Sequence, residues 1–156
     1  MAKIPGEGDK APAFTLTRDG GGPVSLKDFA GKPLVLYFYP KDDTSGCTRE
    51  AQDFSAALPQ FRRAGAAVLG LSKDTVKAHD KFVAKYELKL PLASDPEGTV
   101  VEAYGSWVEK VLYGRKYMGI DRSTFLIDAG GRIVRIWRKV RVPGHVDEVL
   151  AAVKAL

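Results

Sequence analysis

Residues 32–39, KPLVLYFY, constrain the fold more than any other part of the chain. After Pro33 the run is strand-length, apolar, β-branched and aromatic. It lacks the polar alternation of a strand with one wet face, so it belongs inside a sheet covered on both sides. Helices to cover it follow in the sequence. Behind Cys47, residues Ala51, Phe54, Leu58 and Phe61 recur at helical spacing, and Cys47 shares their stripe. Pro59 is expected to break or kink that helix near Leu58. AAVLGLS (66–72) reads as a second buried strand. DTVKAHDKFVAKY (74–86) reads as a helix capped by Asp74 or Thr75, with Val76, Phe82, Val83 and Tyr86 inward.

The rest of the chain fits the same plan. FTLTRDGGGPVSL reads as two short strands around a glycine turn, and LKDFAGK as a helical turn ending at Gly31. LPLASD is short and strand-like. PEGTVVEAYG is expected to start a helix with Pro96 and Glu97 in its first turn. STFLID-AGG-RIVRIW predicts a β-hairpin, and GHVDEVLAAVKAL a closing amphipathic helix. Strand–helix alternation followed by a hairpin predicts an α/β fold, with a mixed central sheet flanked by helices and an N-terminal β-hairpin extension. At 156 residues the chain is expected to be a single domain, 1–156. Its beginning, MAKIPGEGDKAPAF, has no apolar run of signal-peptide length, and no stretch has the length of a membrane span. A soluble, cytoplasmic protein is the expectation. A net charge of +5 is spread out apart from RIWRKVR, and no basic run carries interleaved stacking aromatics, so nucleic-acid binding is not expected.

Cys47 is the only cysteine. That excludes an internal disulfide, a CxxC redox motif and a cysteine-rich zinc site. Alone, such a residue reads as an inert core thiol. Its position is unusual, because it falls where a helix begins after a buried strand and a turn. A thiolate is the nucleophilic form. Lowering a thiol pKa from about 8.5 by two to three units takes about 3 to 4 kcal/mol. A helix N-terminus supplies about 2 kcal/mol at best. A cation or further hydrogen-bond donors must supply the remainder. Lys41 and Arg49 are local, but Arg49 points elsewhere on a helix. A reactive Cys47 therefore needs an arginine from a distant element, which spacing alone does not identify. Thr44 can hydrogen-bond the first turn or the sulfur. Gly46 allows backbone to approach a small substrate. Pro40 directs the strand's exit and shields the pocket.

The segment FYPKDDTSGCTREA resembles the active-site segment of the peroxiredoxins, specifically the peroxiredoxin Q or bacterioferritin-comigratory subfamily. Its Pro-x-x-x-Thr-x-x-Cys pattern is matched by Pro40, Thr44 and Cys47. PLVLYFYP, AAVLGLSKD, LPLASD, YGSWVEK, YMGIDRSTFLID and GRI extend the resemblance, in order, over nearly the whole chain. The resemblance implies a thioredoxin-like fold and a thiol-dependent peroxidase acting on hydrogen peroxide or organic hydroperoxides. Cys47 would attack the peroxide and become a sulfenic acid. Arg122 would be the distant arginine, lowering the thiol pKa and polarising the peroxide. Thr44 would bond the peroxide oxygens and the sulfur. Pro40 would cover Cys47, and Glu50 would orient the arginine. No metal, flavin or haem cofactor is implied.

The chain departs from the pattern at several positions. Many members carry a second cysteine five residues after the first, where this chain has Gln52. Others place it in the following helix, where this chain has Val83 and Ala84. An external thiol is then the expected reductant: thioredoxin, glutaredoxin or a small thiol. The expected state is a monomer or weak dimer. The competing reading is a peroxide sensor that forms mixed disulfides through Cys47. Ser45 stands where proline is common. His79 reads as a packed or half-exposed histidine, and His145 as the start of the last helix without a partner. Asp42 and Asp43 read as a turn and helix-cap pair. Trp107 and Tyr113 read as packing residues near the site, or as lining for an alkyl peroxide's approach.

Overall fold

The computed structural model describes residues 4–156; the first three residues of the amino-terminal segment discussed above lie outside them. The apolar run forms β3 (Leu34–Phe38), buried at every position. It is flanked by β4 (Ala67–Ser72), parallel to it, and by β8 (Ser123–Ile127), antiparallel. Among the described residues the sheet has seven strands. Beyond β4 come β5 (Leu92–Ser94), β1 (Thr15–Arg18) and β2 (Pro23–Ser25). Beyond β8 lies β9 (Ile133–Trp137). The expected N-terminal hairpin is thus part of the main sheet. Its β1 pairs with β5, with Thr17 opposite Ser94.

The strand period of two explains why β3 must be apolar throughout. Val35 and Tyr37 face a cluster with α1 (Ser45–Arg63), the end of α2 (Val76–Tyr86) and α4 (His145–Lys154), through Phe54, Phe61, Phe82, Val149 and Val153. Leu34, Leu36 and Phe38 face a second cluster with Phe14, Tyr104 and Phe125, covered in part by α3 (Thr99–Ala103).

Three expectations need correction. Pro59 does not end α1, which continues to Arg63. It sits on the exposed face, where water can satisfy the carbonyl it leaves unbonded, while Leu58 and Phe61 on the other face are buried. The helix predicted from Pro96 begins at Thr99 instead. Asp95 reaches forward, and its Oδ2 accepts from Val100 N–H (3.0 Å) and Val101 N–H (2.9 Å). These bonds satisfy the first-turn donors and leave Pro96 and Glu97 in the preceding turn. Finally, a two-stranded ribbon, β6 (Trp107–Leu112) with β7 (Arg115–Ile120), precedes β8 and was not expected. Its turn residues Tyr113 and Gly114 both have positive φ, 52° and 76°. That geometry favours Asn-Gly or Asp-Gly, so tyrosine in the first place hides the signal. Tyr113 is 96% exposed, which rules out the packing role expected of it, whereas Trp107 is half-buried with Lys73 Nζ 4.2 Å from its ring centroid.

Candidate active site

The chain leaves β3 through Tyr39 and half-buried Pro40, crosses residues 41–44, and enters α1 at Ser45. Cys47 is the third residue of α1. The first intrahelical bond is Thr48 N–H to Thr44 carbonyl (2.8 Å), so the Ser45, Gly46 and Cys47 amides are free of helical partners. Cys47 is 1% exposed and belongs to the core cluster that also holds Tyr37, Tyr39 and Ala51.

Arg122, in the link between β7 and β8, lies across the sulfur. One terminal nitrogen donates to Cys47 Sγ at 3.3 Å and the other to Glu50 Oε1 at 2.7 Å. Its backbone is tied down on both sides. Arg122 carbonyl accepts from Val140 N–H (3.0 Å), and Asp121 N–H donates to Ser106 carbonyl (2.7 Å). Arg49 is not the cation; it turns to Asp53 on the outer face of α1. Glu50 is fully buried, one turn after Cys47. Burial pushes its pKa up to about 7 against the pull of Arg122. Gly46 has a use beyond the one expected. A Cβ there would lie 3.1 Å from the Arg122 guanidinium, so glycine makes room for the arginine. Among the described residues, the buried Tyr37 hydroxyl and Glu50 Oε2 have no hydrogen-bond partner.

The fold therefore brings Cys47, Glu50, Gly46 and Arg122 together. Pro40 joins Arg122 in the wall of a cleft of about 480 Å³, with Val108, Lys110, Tyr117 and Val140. Burial and the nearby Arg122 charge act to lower the Lys110 pKa, and that direction prevails over Asp121 and Cys47. Thr44 is the N-cap of α1, exposed, and its hydroxyl donates to Lys41 carbonyl (2.8 Å) rather than to the sulfur. A larger cleft, about 560 Å³, lies at the Leu34 end of β3 among Phe14, Leu26, Phe29 and Ile127; it holds no thiol and no histidine.

The aspartates before the helix are not its caps. Asp42 accepts from Tyr39 Oη (2.5 Å) and pairs with His79 Nδ1 (2.6 Å), while Asp43 bonds Lys85 (2.8 Å) and the Tyr86 hydroxyl. His79 is wholly buried. His145 does have a partner, because its Nε2 meets Thr124 Oγ1 at 2.8 Å. Burial pushes its pKa down to about 4. No local pattern links 42 to 79 or 124 to 145, so these pairings had no sequence signal.

Comparison with known proteins decides the family. The AhpC/TSA family model matches residues 7–136. The chain belongs to this family. Among its relatives is the peroxiredoxin Bcp of Xanthomonas campestris pv. campestris, 51% identical over 140 residues, covering 90% of this chain and 88% of that protein. A solved structure of the bacterioferritin comigratory protein of Xanthomonas campestris, concerned with its alkyl peroxide reduction activity, is 49% identical with a TM-score of 0.87. It covers 91% of this chain and 90% of its own. A cysteine-to-serine variant of peroxiredoxin Q from Xylella fastidiosa is 44% identical with a TM-score of 0.91, covering 96% of each chain. The architecture is the thioredoxin-like one of these peroxiredoxins, and the activity is that of a thiol-dependent peroxidase.

Proposed function

We propose that this peroxiredoxin reduces hydrogen peroxide and organic hydroperoxides through Cys47, in one domain spanning 1–156, with electrons from an external thiol. The observation that carries the reading is the Arg122 guanidinium 3.3 Å from Sγ, with buried Glu50 behind it. Arg122 presents its positive charge to the sulfur, and Cys47 lies in the first turn of α1, where the helix carries partial positive charge. The thiolate attacks one peroxide oxygen. An S–O bond forms and the O–O bond breaks. The leaving oxygen takes a proton and departs as water or an alcohol, and Cys47 becomes a sulfenic acid. Arg122 and the free amides of the first α1 turn are placed to stabilise the charge that moves onto the leaving oxygen. With its proton donated to Lys41 carbonyl, the Thr44 hydroxyl keeps lone pairs for the peroxide O–H. Pro40 walls the cleft. Apolar Val108, Val111 and Tyr117 in the same cleft suit an alkyl chain, in keeping with the alkyl peroxide reduction described for the Xanthomonas relative.

The sulfenic acid has no internal partner, since Cys47 is the one cysteine. An incoming thiol displaces water to give a mixed disulfide. A second thiol then releases Cys47 and leaves with the first as a disulfide. Overall, one hydroperoxide and two thiols yield one alcohol or water, one further water and one disulfide. Thioredoxin, glutaredoxin or a small thiol fits this role, which places the protein in a reducing cytoplasm as a monomer or weak dimer. Among the described residues, no helix is long and apolar enough to cross a membrane. The test is steady-state peroxide consumption with dithiothreitol, for the protein and for Cys47→Ser. Turnover that vanishes in the variant supports the reading. A single stoichiometric burst without turnover favours the sensor instead.

A further inference from the structure

The loop that delivers Cys47 is fastened to α2. His79 is the main fastening. Its Nε2 lies 2.9 Å from Ala93 carbonyl, which can only accept, so that nitrogen carries a proton. Its Nδ1 lies 2.6 Å from Asp42 Oδ2, and the other oxygen of Asp42 already accepts from Tyr39. Either neutral tautomer would set a lone pair against an acceptor. The imidazolium alone satisfies both contacts. Asp74 completes the arrangement: its Oδ2 accepts from Asp42 N–H (2.8 Å) and Ser72 Oγ (2.7 Å). Asp42, Asp74 and His79 lie within 4.8 Å of one another, but with both ring nitrogens donating, no lone pair is left for a cation.

We propose that His79 is a positioning residue for the peroxidatic thiol: by holding Asp42 it keeps the 41–44 loop closed, so that Thr44 starts α1 where Cys47 meets Arg122. This rests on Cys47 being the peroxidatic residue. Cys47 is 1% exposed, so a protein thiol reaches its sulfur only when the chain around it moves. The clamp therefore sets the balance between a closed form that attacks peroxide and an open form that the reductant reaches. The groups facing His79 are Asp42 from the loop, Asp74 from the β4–α2 link and Tyr39 from the end of β3. Burial disfavours the charged ring, but the hydrogen bond and charge of Asp42, the Ala93 carbonyl and Asp74 outweigh it and raise the His79 pKa. A raised folded-state value means that the clamp is fully present below the unfolded value of about 6.5 and is lost as pH rises through the folded one.

Stopped-flow kinetics separate the two steps in wild type, His79→Gln, Asp42→Asn and the double variant. One series follows reduced protein with hydrogen peroxide. The other follows dithiothreitol with protein oxidised by one equivalent of peroxide. The peroxide step is expected to slow about tenfold in each single variant, while the thiol step becomes faster. The double variant should be no slower than either single one. Wild type should lose peroxide reactivity on an alkaline limb that His79→Gln lacks. Asp42→Asn carries the same test if His79→Gln does not fold. Peroxide rates within twofold of wild type at every pH overturn the proposal. Equal slowing of both steps marks general damage and overturns it as well. Peroxide consumption persisting in Cys47→Ser would instead sink the underlying reading of Cys47.

Discussion

The two ends of β3 carry two clefts of opposite character. At the Leu34 end the cleft is larger and mostly apolar, among Phe14, Leu26, Phe29 and Ile127. At the Phe38 end the smaller cleft reaches Arg122, and behind it lie a thiol, a carboxylate and a helix N-terminus. Size favours the first and chemistry the second. The chain passes from β3 into α1 at the second end, so the thiol of the first α1 turn meets a cation from the β7–β8 link there. The first end gathers side chains from strand ends, from the helical turn Leu26–Phe29 and from a hairpin turn. Chain direction, rather than cavity volume, decides where this fold can do chemistry.

The largest effect should come from removing the cation. Arg122→Met is expected to lower the rate constant with peroxide by about 10²- to 10³-fold, in the range seen when one charge-stabilising donor is lost. Phe29→Ala in the other cleft should lower the melting temperature and leave that rate constant within twofold of wild type, because half-buried Phe29 packs on the second core cluster alone. Stopped-flow traces and thermal melts of both variants check this. A loss in Phe29→Ala comparable to that in Arg122→Met would break the contrast between the two ends.

A smaller effect should come from Glu50, and it carries a sign. Its pKa is about 7 in the fold against 4.5 for the free side chain, with burial as the main cause. The native state then holds more protons than the unfolded chain between those values. Stability from this group falls as pH rises from about 4.5 to about 7 and is flat beyond. Glu50→Gln removes that slope. Urea midpoints at about pH 5 and about pH 8 should show the variant gaining on wild type, on the order of 2 kcal/mol, at the higher pH. The same variant should react with peroxide about tenfold more slowly, since a neutral amide holds the guanidinium less firmly than a carboxylate does. An unchanged pH slope would mean that Glu50 is ionised at no net cost.

What could be read in advance divides along the same line. β3, the α1 stripe and the β8–β9 hairpin were legible because their patterns are local and strongly periodic. So was the Cys47 segment, through its motif. The β6–β7 ribbon was not, because Tyr113 occupies a positive-φ turn position that a sequence rarely gives to tyrosine. Physics demanded a cation near Cys47, but only resemblance pointed to Arg122, 75 residues away. Nothing marked the Asp42–His79 pair, because both residues are ordinary ones for a turn and a helix. Side chains joined across the fold leave no periodic trace.

Gly46 sharpens the comparison most finely, because activity and stability should move apart. The residue lies in the first turn of α1, so alanine there satisfies helix propensity better than glycine does. At the Phe38 end the new methyl group would sit 3.1 Å from a guanidinium already held by Glu50 and the sulfur. The arginine must yield by a few tenths of an ångström, and its contact with Sγ is the one that lengthens, because the Glu50 bond is the shorter, 2.7 Å against 3.3 Å. Gly46→Ala should therefore slow the peroxide step about fivefold while leaving the melting temperature equal or higher. Restored peroxide reactivity in Gly46→Ala at wild-type stability would show that Arg122 has slack at the sulfur, and the tight packing of cation on thiol would lose its part in the chemistry.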